Sequence, residues 1–327
     1  MLGVSGHRLL RVDPAAPSLA LLAEAAAALR AGELVAFPTE TVYGLGADAR
    51  SEDAVRRIFA AKGRPSDNPL IVHVDSLDAA EAVTAWLTPL ARELAARWWP
   101  GPLTLVLEAD PTLPAVTTGG LATVAVRVPS HPVALALLRA AGIPIAAPSA
   151  NRSGRPSPTT AQHVVDDLGD GVDLVIDGGD SAVGVESTVV DARGDTPIVL
   201  REGSVTREQL GVSAGQQAGD RRASPGTRYR HYAPACAVEV VALGDGVARA
   251  SALAADGHVV GLVGFTAPPP PIVSIATVTD AADLARRLYR ALRAAENAGV
   301  DVVVVEAVAE TGMGRAVMDR LRRAAAG

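Results

Sequence analysis

The sequence predicts an α/β protein built as two domains joined by a linker. Three observations carry this. The chain has 327 residues, about twice the usual size of a single domain. Helical and strand patterns alternate through the first two-thirds and resume after a break. At that break, residues 204–236 are dominated by Gly, Ser, Gln, Arg and Pro and show no hydrophobic period. The domains are therefore expected at 1–203 and 237–327, with 204–236 between them.

The elements follow in order. Ser18–Ala31 is an alanine-rich helical stretch stopped by Gly32, and Leu34–Phe37 is a short apolar strand. Ser51 can cap a helix that carries Glu52 and Asp53 in its first turn, where carboxylates suit the dipole, and that ends near Lys62 and Gly63. Leu70–Val74 is a strand, followed by helices at Leu77–Leu87 and Pro89–Trp98. Further strands are expected at Leu103–Leu107, Thr123–Val128, Ile143–Ala147, Leu174–Ile176, Ser187–Val190 and Ile198–Leu200, with helices at Pro132–Ala141 and Ala161–Leu168. This mixture makes a twisted, mixed sheet. After the linker, Val238–Ala242, Val259–Val263, Ile272–Ile275 and Val302–Val305 read as strands, and Val247–Ala255, Ala281–Ala298 and Arg315–Ala325 as helices. The wholly apolar run Val302–Val305 suits a strand buried on both faces of a parallel sheet. The second domain thus reads as small and Rossmann-like, without the GxGxxG fingerprint of a dinucleotide site.

Composition narrows the functional classes. Hydrophobic residues are 49% and charged residues 20%, so most of the chain can bury a core rather than stay disordered. Cys236 is the sole cysteine, which excludes an intrachain disulfide framework and a Cys-based zinc site. No apolar run reaches the roughly 18 residues of a membrane span, and the first residues lack a signal-peptide core. A cytoplasmic location without membrane contact is the expectation. The net charge of −6 argues against broad nucleic-acid binding. Lys62 is the only lysine among 30 basic residues. It is either a chance survivor of an arginine-favouring bias or a position that needs a compact point charge.

P-loop, GxSxG and HExxH motifs are absent, and the six histidines show no metal-ligand spacing. Polar segments at strand ends stand in their place. PTETVYGLGADA (Pro38–Ala49) sets hydroxyls, a carboxylate and glycines directly after a strand, where open α/β sheets gather their sites. KGRPSDNPLIVHV (Lys62–Val74) adds two cations, an amide and then His73. WWPGPLTLVL (Trp98–Leu107) reads as a packing turn. VAVRVP puts Arg127 inside an apolar strand, where it needs an anion: an internal carboxylate or a substrate's. APSANRSGRPSPT (Ala147–Thr159) is a small-residue loop of the kind that wraps phosphates. GVESTVVD (Gly184–Asp191) and LREG (Leu200–Gly203) complete the set. Lys62, Arg64, Arg127, Arg152, Arg155 and Arg201 then cluster near sheet ends of an acidic protein, the electrostatics of a focused polyanion pocket.

Taken together and in this order, the segments resemble the YrdC-type threonylcarbamoyl-AMP synthases from about Gly32 to Gly203. SPGTRYRHYAP (Ser224–Pro234) and the trailing α/β domain resemble the longer, two-domain branch of that family. The resemblance implies a YrdC-like domain and a reaction: L-threonine, bicarbonate and ATP give threonylcarbamoyl-AMP and pyrophosphate, the first step of threonylcarbamoyladenosine formation in tRNA. It also implies magnesium with the ATP and a downstream tRNA threonylcarbamoyl-transferase complex as recipient. Position by position, Lys62 and Arg64 are expected to neutralise the triphosphate, with Lys62 stabilising the leaving group. Thr41, His73, Arg127, Ala147 and Ser187 are expected around threonine. Arg64, Asn68, Thr123, Ser149, Ser157, Arg201 and Tyr232 are expected on the nucleotide, with Asn151 a neighbour and His231 beside Tyr232 in a segment that closes over it. No protein ligand for a metal and no stable nucleic-acid complex are expected. Two other readings use the same fold: a YrdC-type RNA-binding module without adenylating chemistry, and a carbamoyltransferase of the hydrogenase-maturation type, whose Cys-rich zinc segments this chain lacks.

Overall fold

The computed structural model of the chain describes residues 8–213, 221–224 and 232–326. Residues 214–220 and 225–231 of the expected linker, His231 among them, lie outside the described residues. The chain divides into two compact units. The first takes Met1–Ser153, Pro158–Ala182 and Glu186–Arg228; the second takes Gly154–Ser157, Val183–Val185 and Tyr229–Gly327.

In the first unit the elements run β1 (Arg8–Arg11), α1 (Leu19–Arg30), β2 (Val35–Phe37), β3 (Gly44–Asp48), α2 (Glu52–Lys62), β4 (Ile71–His73), α3 (Leu77–Glu81), α4 (Pro89–Trp98), β5 (Leu103–Glu108), α5 (Ala115–Thr118), β6 (Thr123–Arg127), α6 (Pro132–Ala141), β7 (Ile145–Ala146), α7 (Ala161–Leu168), β8 (Leu174–Asp177), β9 (Thr188–Asp191) and β10 (Ile198–Arg201). The helix ends are chemically specified. Ser51 Oγ accepts from Ala54 N at 3.2 Å, and Gly63 closes α2 in the left-handed region at φ 59°. Thr88 caps α4 ahead of Pro89, and His131 Nδ1 accepts from Val133 N at 3.3 Å to start α6.

The strands form one ten-stranded sheet in the order β1-β8-β2-β3-β7-β4-β6-β5-β9-β10. Its pairs are mixed: β4 and β6 run parallel, while β5 and β6 run antiparallel. On one face, Leu45, Ile58, Val72, Val126 and Val175 share a core with α2 and α7. On the other, α1 and α6 pack Leu22, Leu29 and Leu137 against Phe37, Ile145 and Ile176. Each fully buried aliphatic side chain of these cores is worth about 1.5–3 kcal/mol. Further along the second face the sheet carries a smaller apolar patch. There Ile71, Val106, Ala125, Val189 and Leu200 meet Ala223, from the short turn Arg221–Ala223 of the linker.

Several elements differ from the sequence reading, among them three near the sheet. Residues 77–87 are helical only to Glu81, because Ala85 N donates to Glu108 O at 3.0 Å and Asp110 N to Val83 O at 3.1 Å. The backbone there pairs with the end of β5 instead. β3 forms through GLGAD, a strand without a β-branched side chain. Gly46 is needed in it, since a Cβ would lie 2.8 Å from Phe37 Cε1 and 2.9 Å from Ile145 Cγ2. β1 joins β8 at the sheet edge, in parallel register.

The second unit contains β11 (Ala237–Val241), α8 (Gly246–Ala255), β12 (Val260–Gly264), β13 (Val273–Thr277), α9 (Ala281–Asn297), β14 (Val302–Glu306) and α10 (Met313–Ala325). Its four strands are all parallel, in the order β11-β14-β12-β13. The apolar run of β14 sits between β11 and β12, where it is covered on both faces. Glu306 closes that strand, and its buried carboxylate accepts from Gly246 N at 3.0 Å and Phe265 N at 2.8 Å.

Candidate active site

Strand register builds a polar band on the second face, beside the patch that receives Ala223. His73 closes β4 and Arg127 closes β6, and the two are register partners, so both side chains leave the same face. β5 runs antiparallel to β6 with Leu105 opposite Val126, which sets Thr104 beside Arg127. Thr104 Oγ1 lies 2.7 Å from Ser187 Oγ at the start of β9. Arg201, at the end of β10, donates from Nη2 to Ser187 O at 2.8 Å and to Ser187 Oγ at 3.2 Å. His73, Arg127, Thr104, Ser187 and Arg201 thus cross β4, β6, β5, β9 and β10 in sequence, all buried. The same face carries the apolar patch that receives Ala223.

Gly203 ties this arrangement together. A Cβ there would stand 2.3 Å from Thr188 N and 2.4 Å from Ser187 C, both backbone atoms that cannot give way. Gly203→Ala is expected to destabilise the first unit by roughly 1–3 kcal/mol, as overpacking does. Urea denaturation measures it; an unchanged midpoint would mean that the LREG turn does not hold Ser187.

Arg127 is anchored on every side. Its Nη1 donates to Thr41 Oγ1 at 2.9 Å, its Nε to Gly101 O at 3.2 Å, and its Nη2 stands 2.7 Å from Glu40 Oε1. The Glu40 contact is an ion pair whose angles fall short of a well-aligned hydrogen bond. Of the two anions open to Arg127 from the sequence, the structure supplies the internal one. Burial pushes the Glu40 carboxyl up, but the Arg127 charge close beside it and nearby backbone donors outweigh this, and the net shift is downward. Thr39 Oγ1 bonds Thr41 Oγ1 at 2.8 Å and Val42 O at 2.6 Å, which fixes the turn presenting Thr41. Ala147 lies one residue beyond β7, its N–H donating to Ile71 O at 2.9 Å.

His73 is buried against Phe37, edge to face at 6.1 Å, and its Nδ1 has no hydrogen-bond partner in the described chain. Burial, and then the Arg127 charge, pull its pKa down from 6.5 to about 3. The imidazole is therefore neutral near pH 7, with a ring nitrogen open to a ligand. The folded pKa lies below the unfolded one, so the native state binds fewer protons between these values. Stability from this group is complete above pH 6.5 and is lost as pH falls toward 3, at roughly 1.4 kcal/mol per pH unit. Urea midpoints at pH 7 and pH 4.5 are expected to differ less in His73→Gln than in the wild type; equal differences would remove His73 as the cause.

A second cluster forms at the end of α2. Lys62 is buried, and its Nζ donates to Ser149 O at 2.5 Å and also to Asn151 O. Its own carbonyl accepts from Ser153 N at 2.9 Å, and Ser149 Oγ donates to Asn151 Oδ1 at 2.6 Å. Burial, followed by the neighbouring Arg64 charge, holds the Lys62 ammonium well below the ordinary lysine range. Arg64 Nη2 donates to Pro69 O at 3.0 Å and to Asn68 O at 3.3 Å. Asn68 is buried in that same turn. Gly119 (φ 62°) seats the α5 loop on it, where a Cβ would lie 2.9 Å from Asp67 O and Pro69 N. Thr123 is buried at the start of β6, at the far end of that strand from Arg127. Arg152 Nε turns to Asp167 O at 2.7 Å.

The expected threonine residues Thr41, His73, Arg127 and Ala147 therefore converge at adjacent strand ends, and Ser187 joins them through Thr104. Lys62, Arg64, Asn68, Ser149 and Asn151 group at the end of α2. Ser157, Tyr232 and Arg155 belong to the second unit. There Tyr232 stacks on Tyr289 at 5.3 Å, with the Arg320 guanidinium 5.8 Å from its ring. Sequence reasoning missed two residues of the band. Glu40 had a signal, a carboxylate inside PTETVYG. Thr104 had only its hydroxyl in the apolar run LTLVL. Among the described residues no three His, Cys, Asp or Glu side chains stand together so as to hold a metal ion. No helix among them is long and apolar enough to cross a membrane.

The fold and this site define a class. Residues 27–203 match the Sua5/YciO/YrdC family model, described as telomere recombination, and residues 201–326 match the model of the threonylcarbamoyl-AMP synthase C-terminal domain. The chain is 46% identical over 315 residues to the threonylcarbamoyl-AMP synthase of Pyrococcus abyssi, covering 92% of each protein. It is 43% identical to that of Bacillus subtilis, covering 94% of this chain and 93% of the relative. The crystal structure of P. abyssi Sua5 complexed with L-threonine superposes with a TM-score of 0.90 at 43% identity, covering 97% of each chain. The protein belongs to the Sua5/YciO/YrdC family, in its two-domain form.

Proposed function

We propose that the chain is a threonylcarbamoyl-AMP synthase, converting L-threonine, bicarbonate and ATP to threonylcarbamoyl-AMP and pyrophosphate. The observation that carries this is Lys62: a buried cation bonded to carbonyl oxygens rather than to a carboxylate. Such a site is incomplete until an anion arrives. The phosphates of ATP would supply that anion. In this reading the amine of threonine attacks the bicarbonate carbon and a C–O bond breaks, so that water leaves and a carbamate forms. One carbamate oxygen attacks the α-phosphorus, and the bond to the pyrophosphate oxygen breaks. No enzyme nucleophile is needed, so the chain's task is positioning and charge stabilisation.

Threonine lies in this reading at Thr41, His73, Arg127, Ala147 and Ser187, with neutral His73 offering its open Nδ1 as an acceptor. Arg64, Asn68, Thr123, Ser149, Ser157, Arg201 and Tyr232 serve the nucleotide. Magnesium enters with the phosphates as part of the substrate. The product, a mixed anhydride, would pass to a tRNA-modifying complex in the cytoplasm. The experiment is isotopic. Labelled bicarbonate with ATP, magnesium and threonine is expected to yield a labelled nucleotide of the mass of threonylcarbamoyl-AMP. An unlabelled threonyl adenylate would overturn the assignment.

The linker gives a separate prediction. Ala223 rests on the apolar patch beside the polar band, where a segment can shield a water-sensitive carbamate. Ala223→Asp would bury a carboxylate there and lift the segment. Intact product recovered per pyrophosphate released is then expected to fall; an unchanged ratio would count against a cover at this place.

A further inference from the structure

The second unit contains two short pieces of chain that interrupt the first: Gly154–Ser157 and Val183–Val185. Both belong with α9. Arg293, buried on that helix, donates from Nη2 to Pro156 O, and Glu296, one turn on, pairs with Arg155 at 2.9 Å. Gly184, at φ 83°, lies directly on the helix backbone: a Cβ would stand 2.5 Å from Ala285 O and from Arg286 Cα. Any side chain is barred there, both by the close approach and by the left-handed conformation.

The covalent neighbours of these pieces are candidate site residues. Ser149 and Asn151, the latter a partner of Lys62, lie just before Gly154, and Ser157 ends the first piece. Ser187, the partner of Thr104 and Arg201, lies two residues after Val185. We infer that α9 is a positioning element for the reaction: Arg293 and Glu296 fix the nucleotide loop at 154–157, and the Gly184 contact fixes the approach of Ser187 to threonine. This rests on the adenylating function proposed above and gives the second domain a part in it. Arg293, Glu296 and Gly184 act through their neighbours and touch no substrate in this scheme.

The scheme separates the two substrates. In the full-length enzyme, Arg293→Met is expected to raise the KM for ATP about tenfold, the effect of roughly one misplaced hydrogen bond, with the KM for threonine within about twofold of wild type. Arg293→Lys, which keeps a donor for Pro156 O, should recover part of the loss. Gly184→Ala should do the converse, raising the KM for threonine and sparing that for ATP. Arg249→Ala, which removes an exposed ion pair with Glu239 on the same unit, is the control and should change neither. A role confined to stability would lower the melting temperature and the active fraction but leave both KM values in place. That result, or equal changes for both substrates in each variant, overturns the inference. Calorimetric binding of a non-hydrolysable ATP analogue to Arg293→Met runs alongside. Weakened analogue binding would uphold the loop's role even if the wild type proved not to use bicarbonate, so the two claims fail separately.

Discussion

Lys62→Ala is expected to lower pyrophosphate release by about 10²–10³-fold, the usual effect of removing one preorganised donor to developing charge. The reason is structural as well as electrostatic. Lys62 Nζ bridges Ser149 O and Asn151 O, so its loss removes the clasp on the small-residue loop together with the group proposed to face the phosphates. Lys62→Arg separates these roles from charge alone. The planar guanidinium is bulkier than the ammonium and the site is buried, so arginine should fail nearly as badly as alanine. Circular dichroism and the melting transition check that both variants fold. Folded Lys62→Ala with near-normal turnover would remove Lys62 from the mechanism, and full activity in Lys62→Arg would make its retention as the only lysine a matter of chance.

Arg127→Ala is the second large effect. On the proposal that Arg127 also binds the threonine carboxylate, its loss should raise the threonine KM by about 10–100-fold, with the ATP KM much less affected. The ion pair with Glu40 complicates a simple deletion, because the variant leaves a buried carboxylate unpaired. The double variant Glu40→Gln/Arg127→Ala removes that penalty. If the threonine defect persists in the double variant while the melting temperature recovers, Arg127 binds substrate. If both substrates lose equally and the double variant restores them, Arg127 is a structural partner of Glu40 and the threonine assignment fails.

Much of the fold was legible because local chemistry specified it. Ser51, Glu52, Asp53 and Gly63 mark α2 from end to end, and the apolar run at Val302 announces a doubly covered strand. What could not be read is tertiary in origin. β3 carries two glycines, of which Gly46 fits against Phe37 and Ile145, and no β-branched residue, so it has no strand signature. The helix at Leu77 ends early because Ala85 and Val83 find partners around β5. For the site, the residues rich in polar atoms stood out as segments, and their convergence needed strand register: His73 meets Arg127 only because β4 and β6 pair in parallel. Glu40 and Thr104 acquire their parts from partners 87 and 83 positions away.

The central claim is that one buried site joins threonine, bicarbonate and ATP without an enzyme-bound intermediate. Pyrophosphate release from ATP and magnesium, measured with threonine and bicarbonate each omitted in turn, tests it most directly. Release that requires both substrates together is the predicted result. Release that persists without threonine or without bicarbonate, or no release with all components present, would contradict it.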